Sequence, residues 1–252
     1  MDQDLNTYIE KILAKKMSKV DGLMNGNLGK VLLSLISYKV YGNRKFFNKG
    51  ITTLSSILNR LEKGNSTLND PSLSEGIIGL GLLLNHIEHH NLAEDAIDFD
   101  ILDEIDQYAT EWFGRFVDSK NFSYLIGAAG CLFYLVKRNR ALGKTVLEEK
   151  ISELISAAEI DNEGARFSSG KLHHSFSTDA YNNHYNMGLN NGLVGNLLVL
   201  LKAYPLLEKK EYIKDFITKG IDFILNLEGP VDINGKRICY FPTVVSDIKE
   251  VR

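Results

Sequence analysis

Three histidines and one acidic residue fall within twelve positions of a polar stretch, residues 160–188. They are His173, His174, Asp179 and His184. Imidazole and carboxylate groups at this density can ligate a metal ion, and a neutral imidazole can also transfer a proton near neutral pH. A solvated loop has the same composition, rich in Ser, Asn and Gly. Both interpretations of this stretch, a metal site and a solvated loop, stay open.

A second histidine group, HIEHH, contains His86, His89 and His90. His86 and His90 are four residues apart, so on a helix they share one face and could share a metal ion. The string is not the HExxH motif, because Ile87 follows His86. Histidines also suit the C-terminal end of a helix, where the helix dipole favours positive charge.

The two cysteines, Cys131 and Cys239, are too far apart in sequence for a CxxC pair, and two cysteines cannot form a disulfide framework. This indicates reduced thiols in a cytoplasmic protein. Cys131 directly follows Gly130 in an apolar run, which is typical of a small core residue. The N-terminal sequence has no signal-peptide pattern, and no apolar run approaches the roughly 20 residues that span a bilayer.

The composition favours an ordinary globular protein, with 44% hydrophobic residues and a net charge of −3. That charge excludes the basic surface of a nucleic-acid-binding protein. Only four prolines interrupt 252 residues, so we expect long elements in a single domain, residues 1–252.

The elements that must position these groups follow an internal repeat. Gly-x-x-Gly begins an apolar run at Gly26, Gly76, Gly127 and Gly192. The spacings are 50 residues (Gly26 to Gly76), 51 (Gly76 to Gly127) and 65 (Gly127 to Gly192). The longer last interval contains the polar stretch, which is therefore interpreted as an inserted loop.

Amphipathic stretches with helical spacing separate the apolar runs. Examples are Ile101, Ile105, Tyr108, Trp112 and Phe116, and later Ile213, Ile217, Ile221 and Ile224. An apolar helix is buried on all sides, and an amphipathic helix can cover it. The sequence predicts an all-α fold of about four helical hairpins, part of an α/α toroid, with the glycine pairs at the N-terminal ends of the inner helices on one face. Residues 231–241 contain Asn-Gly between short apolar runs, which predicts one small β-hairpin.

These repeats resemble the lanthionine synthetase C-like family of lanthipeptide cyclases. The resemblance is strongest at Asn186–Leu201, NMGLNNGLVGNLLVLL, and includes Phe241-Pro242 after the hairpin. It implies an α/α toroid of about seven units, of which this chain has the first four. It also implies a zinc ion, held by two cysteines and a histidine, that activates a peptide thiol for addition to a dehydrated Ser or Thr.

The zinc-ligand strings that the family places in later units do not occur here, so we expect no zinc in this chain. Asn191 stands where the family commonly has a histidine, and Ser123 stands at or near a position where some members have an aspartate. Asn cannot shuttle a proton, so we expect the chain alone to be inactive as a cyclase.

The resemblance makes Asn190, Asn191 and Gly192 candidate substrate-binding residues, with His184 and Asn191 as the catalytic candidates. The expected partner is a precursor peptide. A noncatalytic peptide-binding or scaffold protein is the main alternative. A glycosidase would need two carboxylates at the inner helix starts, and only Glu75 qualifies. An incomplete toroid also exposes apolar edges, which predicts self-association or a partner enzyme.

Overall fold

The computed structural model describes residues 2–94, 96–168, 185–227, 232–233, 236–237, 241 and 244–245. The chain divides into two compact units, Met1–Gln107 and Tyr108–Arg252. The first unit contains four helices and the beginning of a fifth: α1 (Asp2–Ala14), α2 (Asn27–Tyr41), α3 (Arg44–Glu62), α4 (Ile77–His89) and α5 (Ile101–Asp118).

The second unit contains the rest of α5 and five further helices, together with a short 3-10 helix, Tyr204–Leu206. The helices are α6 (Ala128–Lys137), α7 (Asn139–Leu142), α8 (Lys144–Ser156), α9 (Leu193–Ala203) and α10 (Glu211–Asn226). Cys131 lies inside α6 and is buried, as predicted.

Three two-stranded antiparallel sheets also lie among the described residues of the second unit. The predicted hairpin is confirmed by β4 (Asp232–Ile233) and β5 (Lys236–Arg237). Two further strand pairs accompany it among the described residues: β1 (Glu159–Asp161) with β2 (Gly164–Arg166), and β3 (Tyr185–Asn186) with β6 (Val244–Val245). The stretch predicted as a loop therefore begins with a hairpin. Arg166 donates to both carboxylate oxygens of Asp161 across it, at 2.9 and 2.6 Å.

The four predicted glycine positions begin four apolar helices. Gly26, Gly76, Gly127 and Gly192 are the N-cap residues of α2, α4, α6 and α9, all with extended backbone at negative φ. Any residue can adopt this backbone conformation, so it does not explain why these positions are glycine. The explanation is that neighbouring atoms lie too close to leave room for a Cβ. A Cβ on Gly76 would lie 2.0 Å from the Asp70 carbonyl oxygen, and one on Gly127 would lie 2.4 Å from Asn121 Oδ1.

Within each unit the two glycine turns lie side by side. In the first unit, Met24 N donates to the Ser74 carbonyl at 3.0 Å. In the second, Tyr124 N donates to the Asn190 carbonyl at 2.8 Å. Each unit therefore brings together the N-terminal ends of its two inner helices, although they are separated by 50 or 65 residues in the sequence.

The outer helices contact the inner ones through small residues. Gly50 on α3 faces Leu35 of α2, and Gly220 on α10 faces Leu197 of α9. In both places an added Cβ would lie 2.8 Å from a leucine methyl group. The glycines thus allow two helices to pack closely.

The apolar stripes on α5 and α10 differ from the predicted ones. The buried apolar residues of α5 are Leu102, Ile105, Ala109, Phe113 and Val117, whereas Tyr108, Trp112 and Phe116 are only partly buried. On α10 the core side includes Phe216, Gly220 and Phe223, and Ile221 is 41% exposed. Ile105, Ile213 and Ile217 are buried as predicted. Elsewhere the predicted stripes were wrong by about one position, because they followed the isoleucines and aromatic residues and ignored Ala and Gly at contact positions.

Asp21 is a buried carboxylate at the centre of the first unit. Arg60 on α3 donates to it with Nη2 at 2.6 Å and with Nε at 3.3 Å. Asn27 Nδ2 donates at 2.9 Å and Ser66 Oγ at 3.3 Å. Burial favours the neutral acid, but the guanidinium and the hydrogen bonds outweigh it, so the pKa of Asp21 is lowered. This network fixes the turn before α2 to α3.

Several apolar side chains of the two units are exposed. They include Leu5, Tyr8, Ile36 and Val40 in the first unit and Val194, Leu201, Ile221 and Leu225 in the second. Self-association through such surfaces stays a prediction. Among the described helices, none combines the length and the apolar character needed to cross a membrane.

Candidate functional site

The candidate site lies where the glycine turns before α6 and α9 meet. Ser123 is buried, and its Oγ lies 2.9 Å from Asn191 Oδ1 and 3.0 Å from the Asn190 carbonyl oxygen. The same Oγ accepts a hydrogen bond from Ile126 N at 3.2 Å. We call Ser123, Asn190 and Asn191 the Ser123–Asn191 cluster.

A hydroxyl group has one hydrogen, so Ser123 cannot donate to both oxygens at once. If the Asn191 amide turns over, its Nδ2 donates to Ser123 Oγ while Ser123 donates to the Asn190 carbonyl. The exposed Asn191 directs one polar amide atom toward Ser123 in either orientation. Its other amide atom can bond a peptide N–H or carbonyl.

Backbone geometry holds this cluster in place. Asn121 and Asn186 each precede a capping glycine by six residues, and each accepts from the backbone N–H two residues further on: Ser123 N at 3.3 Å and Gly188 N at 2.8 Å. Asp70 does the same for Ser72 N at 2.6 Å. These side-chain turns were missed in the sequence. The signal was an Asx residue six positions before three of the four capping glycines.

Asn196 on α9 joins the two inner helices of the second unit. It is fully buried, and its Nδ2 donates to the Phe122 and Gly192 carbonyls, both at 3.0 Å. These two acceptors fix the orientation of the amide. Its Oδ1 has no hydrogen-bond partner among the residues that the structure describes. Asn196 therefore positions Gly192, and with it Asn191.

The structure does not describe the loop residues predicted to bind a metal or transfer a proton. His173, His174, Asp179, His184 and Cys239 lie outside the described residues. Those predictions therefore stay untested.

Cys131 is 1% exposed, and burial raises the pKa of its thiol. It can neither reach a substrate nor ionise readily near neutral pH.

The described residues do not fit the zinc site that the family resemblance implies. Within the described ranges, no three His, Cys, Asp or Glu side chains are placed to hold one metal ion. The described thiol, Cys131, is enclosed in α6 and kept protonated, which is the wrong state for a zinc ligand.

Glu75 occupies the position before Gly76 that Asn191 occupies before Gly192. Its Oε1 accepts from Asn25 Nδ2 at 2.7 Å on the surface of the first unit. A glycosidase needs two carboxylates on either side of one bond. Glu75 bonded to an amide does not provide such a pair.

Comparison with known proteins gives the class of this chain. A sequence model of the lanthionine synthetase C-like protein family matches residues 18–246. Among solved structures, nisin cyclase matches with a TM-score of 0.64 and 19% sequence identity, over 93% of this chain. The match covers 60% of the nisin cyclase chain. No curated protein sequence matches.

The chain belongs to the lanthionine synthetase C-like family. The structural match to nisin cyclase confirms the predicted fold class, an all-α fold of helical hairpins that forms part of an α/α toroid. At 19% identity, the match carries the fold alone.

Proposed function

We propose that this chain acts in thioether formation on dehydrated peptides, and that it binds the precursor peptide at the Ser123–Asn191 cluster. The family match over residues 18–246 carries this proposal. The cluster supports it, because two inner helices begin there and an exposed amide is held in place by buried neighbours.

The chemistry that a lanthionine cyclase performs needs two proton-related steps. A peptide cysteine must lose its proton, since the thiolate is the nucleophile. Its sulfur then adds to the β-carbon of dehydroalanine, and the resulting enolate takes a proton at the α-carbon. The new bond is carbon–sulfur, the carbon–carbon double bond becomes single, and no oxidant is involved.

Asn191 can hold the peptide but cannot move its protons. A carboxamide neither gives up nor accepts a proton near pH 7. Cys131 is buried inside α6 and cannot be the attacking thiol. We infer that the described cluster contributes binding and orientation, and that thiol activation and enolate protonation need groups that this chain by itself does not supply.

The surroundings of Asn191 suit a dehydrated peptide. Leu189 and Val194 lie close to it in sequence and are 48% and 38% exposed. Dehydroalanine and dehydrobutyrine are small and apolar, and their peptide groups remain polar. Exposed apolar side chains next to an amide would contact both parts. The alternative, a noncatalytic scaffold, would use the same contacts and lack turnover in any assembly.

Asn191→Ala should weaken binding of a synthetic peptide that carries dehydroalanine and cysteine by about fivefold. This corresponds to loss of one net hydrogen bond, about 1 kcal/mol. Fluorescence anisotropy with a labelled peptide measures it. Asn65→Ala is the matched control, an exposed asparagine in the first unit, and should bind like the parent chain. Equal affinity of Asn191→Ala and the parent chain would contradict the proposed site.

A further inference from the structure

Three imidazole rings cluster at the C-terminal end of α4. The ring centroids of His86 and His90 are 4.3 Å apart, and those of His89 and His90 are 4.8 Å apart. His86 is partly exposed, and His89 and His90 are exposed. His86 and His90 lie four residues apart, on one side of the helix.

The backbone fixes the end of this helix. His90 N donates to the His86 carbonyl at 3.1 Å, and Leu92 N donates to the Ile87 carbonyl at 2.9 Å. Asn91 takes the left-handed conformation, with φ at 48°, which ends α4 sharply. The two rings are therefore carried by an ordered turn of helix.

We propose that His86 and His90 form a binding site for a late first-row divalent cation. Imidazole nitrogen is a favoured ligand of Cu²⁺, Ni²⁺ and Zn²⁺. No third His, Cys, Asp or Glu side chain completes a site among the described residues, so water supplies the remaining ligands. The site is independent of the proposed peptide-binding cluster, which lies in the second unit.

Ion binding at this place also stabilises the folded chain. An ion that binds the native state raises its stability in proportion to the logarithm of the ratio of free ion to dissociation constant. Two ligands on one turn of helix bind together only while the helix is formed. The metal therefore favours an intact C-terminal end of α4.

The test is calorimetric titration of the full chain with Ni²⁺ alone at about pH 8. His86→Gln and His90→Gln should each weaken Ni²⁺ binding at least tenfold. Loss of a residue that only hydrogen-bonds to a metal ligand typically weakens binding 10- to 100-fold, and loss of the ligand itself should cost at least as much. His89→Gln, the neighbour on the same turn, should bind like the parent chain. His173, His174 and His184 are replaced by Gln in every protein of the series, so that the titration reports α4.

Thermal unfolding gives the second readout. Ni²⁺ should raise the midpoint of the parent chain and of His89→Gln, and leave those of His86→Gln and His90→Gln unchanged. Binding that survives either substitution, or that falls equally in His89→Gln, overturns the proposal. Absence of Ni²⁺ binding to the parent chain of the series overturns it as well.

Discussion

Gly76→Ala is expected to destabilise the protein by about 3 kcal/mol or more, the upper end of the cost of overpacking. The new Cβ would lie 2.0 Å from the Asp70 carbonyl oxygen. Asp70 cannot move away cheaply, since its carbonyl accepts from Ile77 N at 2.9 Å and its side chain accepts from Ser72 N at 2.6 Å. Denaturant unfolding followed by circular dichroism measures the loss.

Gly114→Ala is the matched control. Gly114 lies inside α5, and its added Cβ would meet only Glu153 Oε1, at an ordinary 3.5 Å. Replacing a helical glycine by alanine stabilises by up to about 1 kcal/mol. The two substitutions should therefore have opposite signs. A neutral Gly76→Ala would show that the turn before α4 adjusts freely, and that the close approach to the Asp70 carbonyl does not require glycine.

Asp21→Ala is expected to cost about 3 kcal/mol, the lower end of the range for breaking a buried ion pair. The change leaves Arg60 without its carboxylate and Asn27 without one acceptor. Arg60 is 32% exposed and regains some hydration, which limits the loss. The unfolding midpoint of Asp21→Ala is compared with that of Glu94→Gln, the control that breaks an exposed ion pair. The Arg44–Glu94 pair has similar chemistry but is 56% and 45% exposed, so its loss should have little effect.

The same carboxylate predicts acid sensitivity. The pKa of Asp21 is lowered in the folded protein. Its contribution is therefore fully present above the unfolded pKa, near 3.9, and is lost as the pH falls through the folded value. Asp21→Asn should reduce the dependence of stability on pH below about pH 4. An unchanged acid-unfolding profile in this variant would contradict the assignment.

The glycine pairs could be predicted from the sequence because the steric reason for glycine lies within a few residues of each position. Gly76 and Gly127 must be glycine to avoid a carbonyl or side chain six residues earlier, and this requirement repeats with the helices. The residue at the earlier position is Val20, Asp70, Asn121 or Asn186. That position accepts several residue types because its backbone carbonyl forms the contact with the helix, so the pattern was not recognised.

The Ser123–Asn191 contact was beyond sequence reasoning, although Asn191 was a candidate site residue. They are 68 positions apart, and only the packing of α6 against α9 brings them together. The hairpin of β1 and β2 lacked an alternating apolar pattern. It depends instead on the Asp161–Arg166 pair and on Gly164, whose φ of 132° is strongly unfavourable for other residues.

The Ser123–Asn191 cluster can bind a peptide but cannot by itself form a thioether, because it offers hydrogen bonds and apolar contacts but no group that titrates near neutral pH. The most direct measurement is thiol consumption by the purified chain with a peptide that carries dehydroalanine and cysteine, together with metal analysis of the same sample. Cys131→Ala is the control, and it should behave as the parent chain does.

The peptide is expected to bind, thiol is expected to be consumed no faster than in buffer, and the zinc content is expected to be the same in Cys131→Ala as in the parent chain. Turnover by the chain alone, or stoichiometric zinc that is lost in Cys131→Ala, would contradict this expectation.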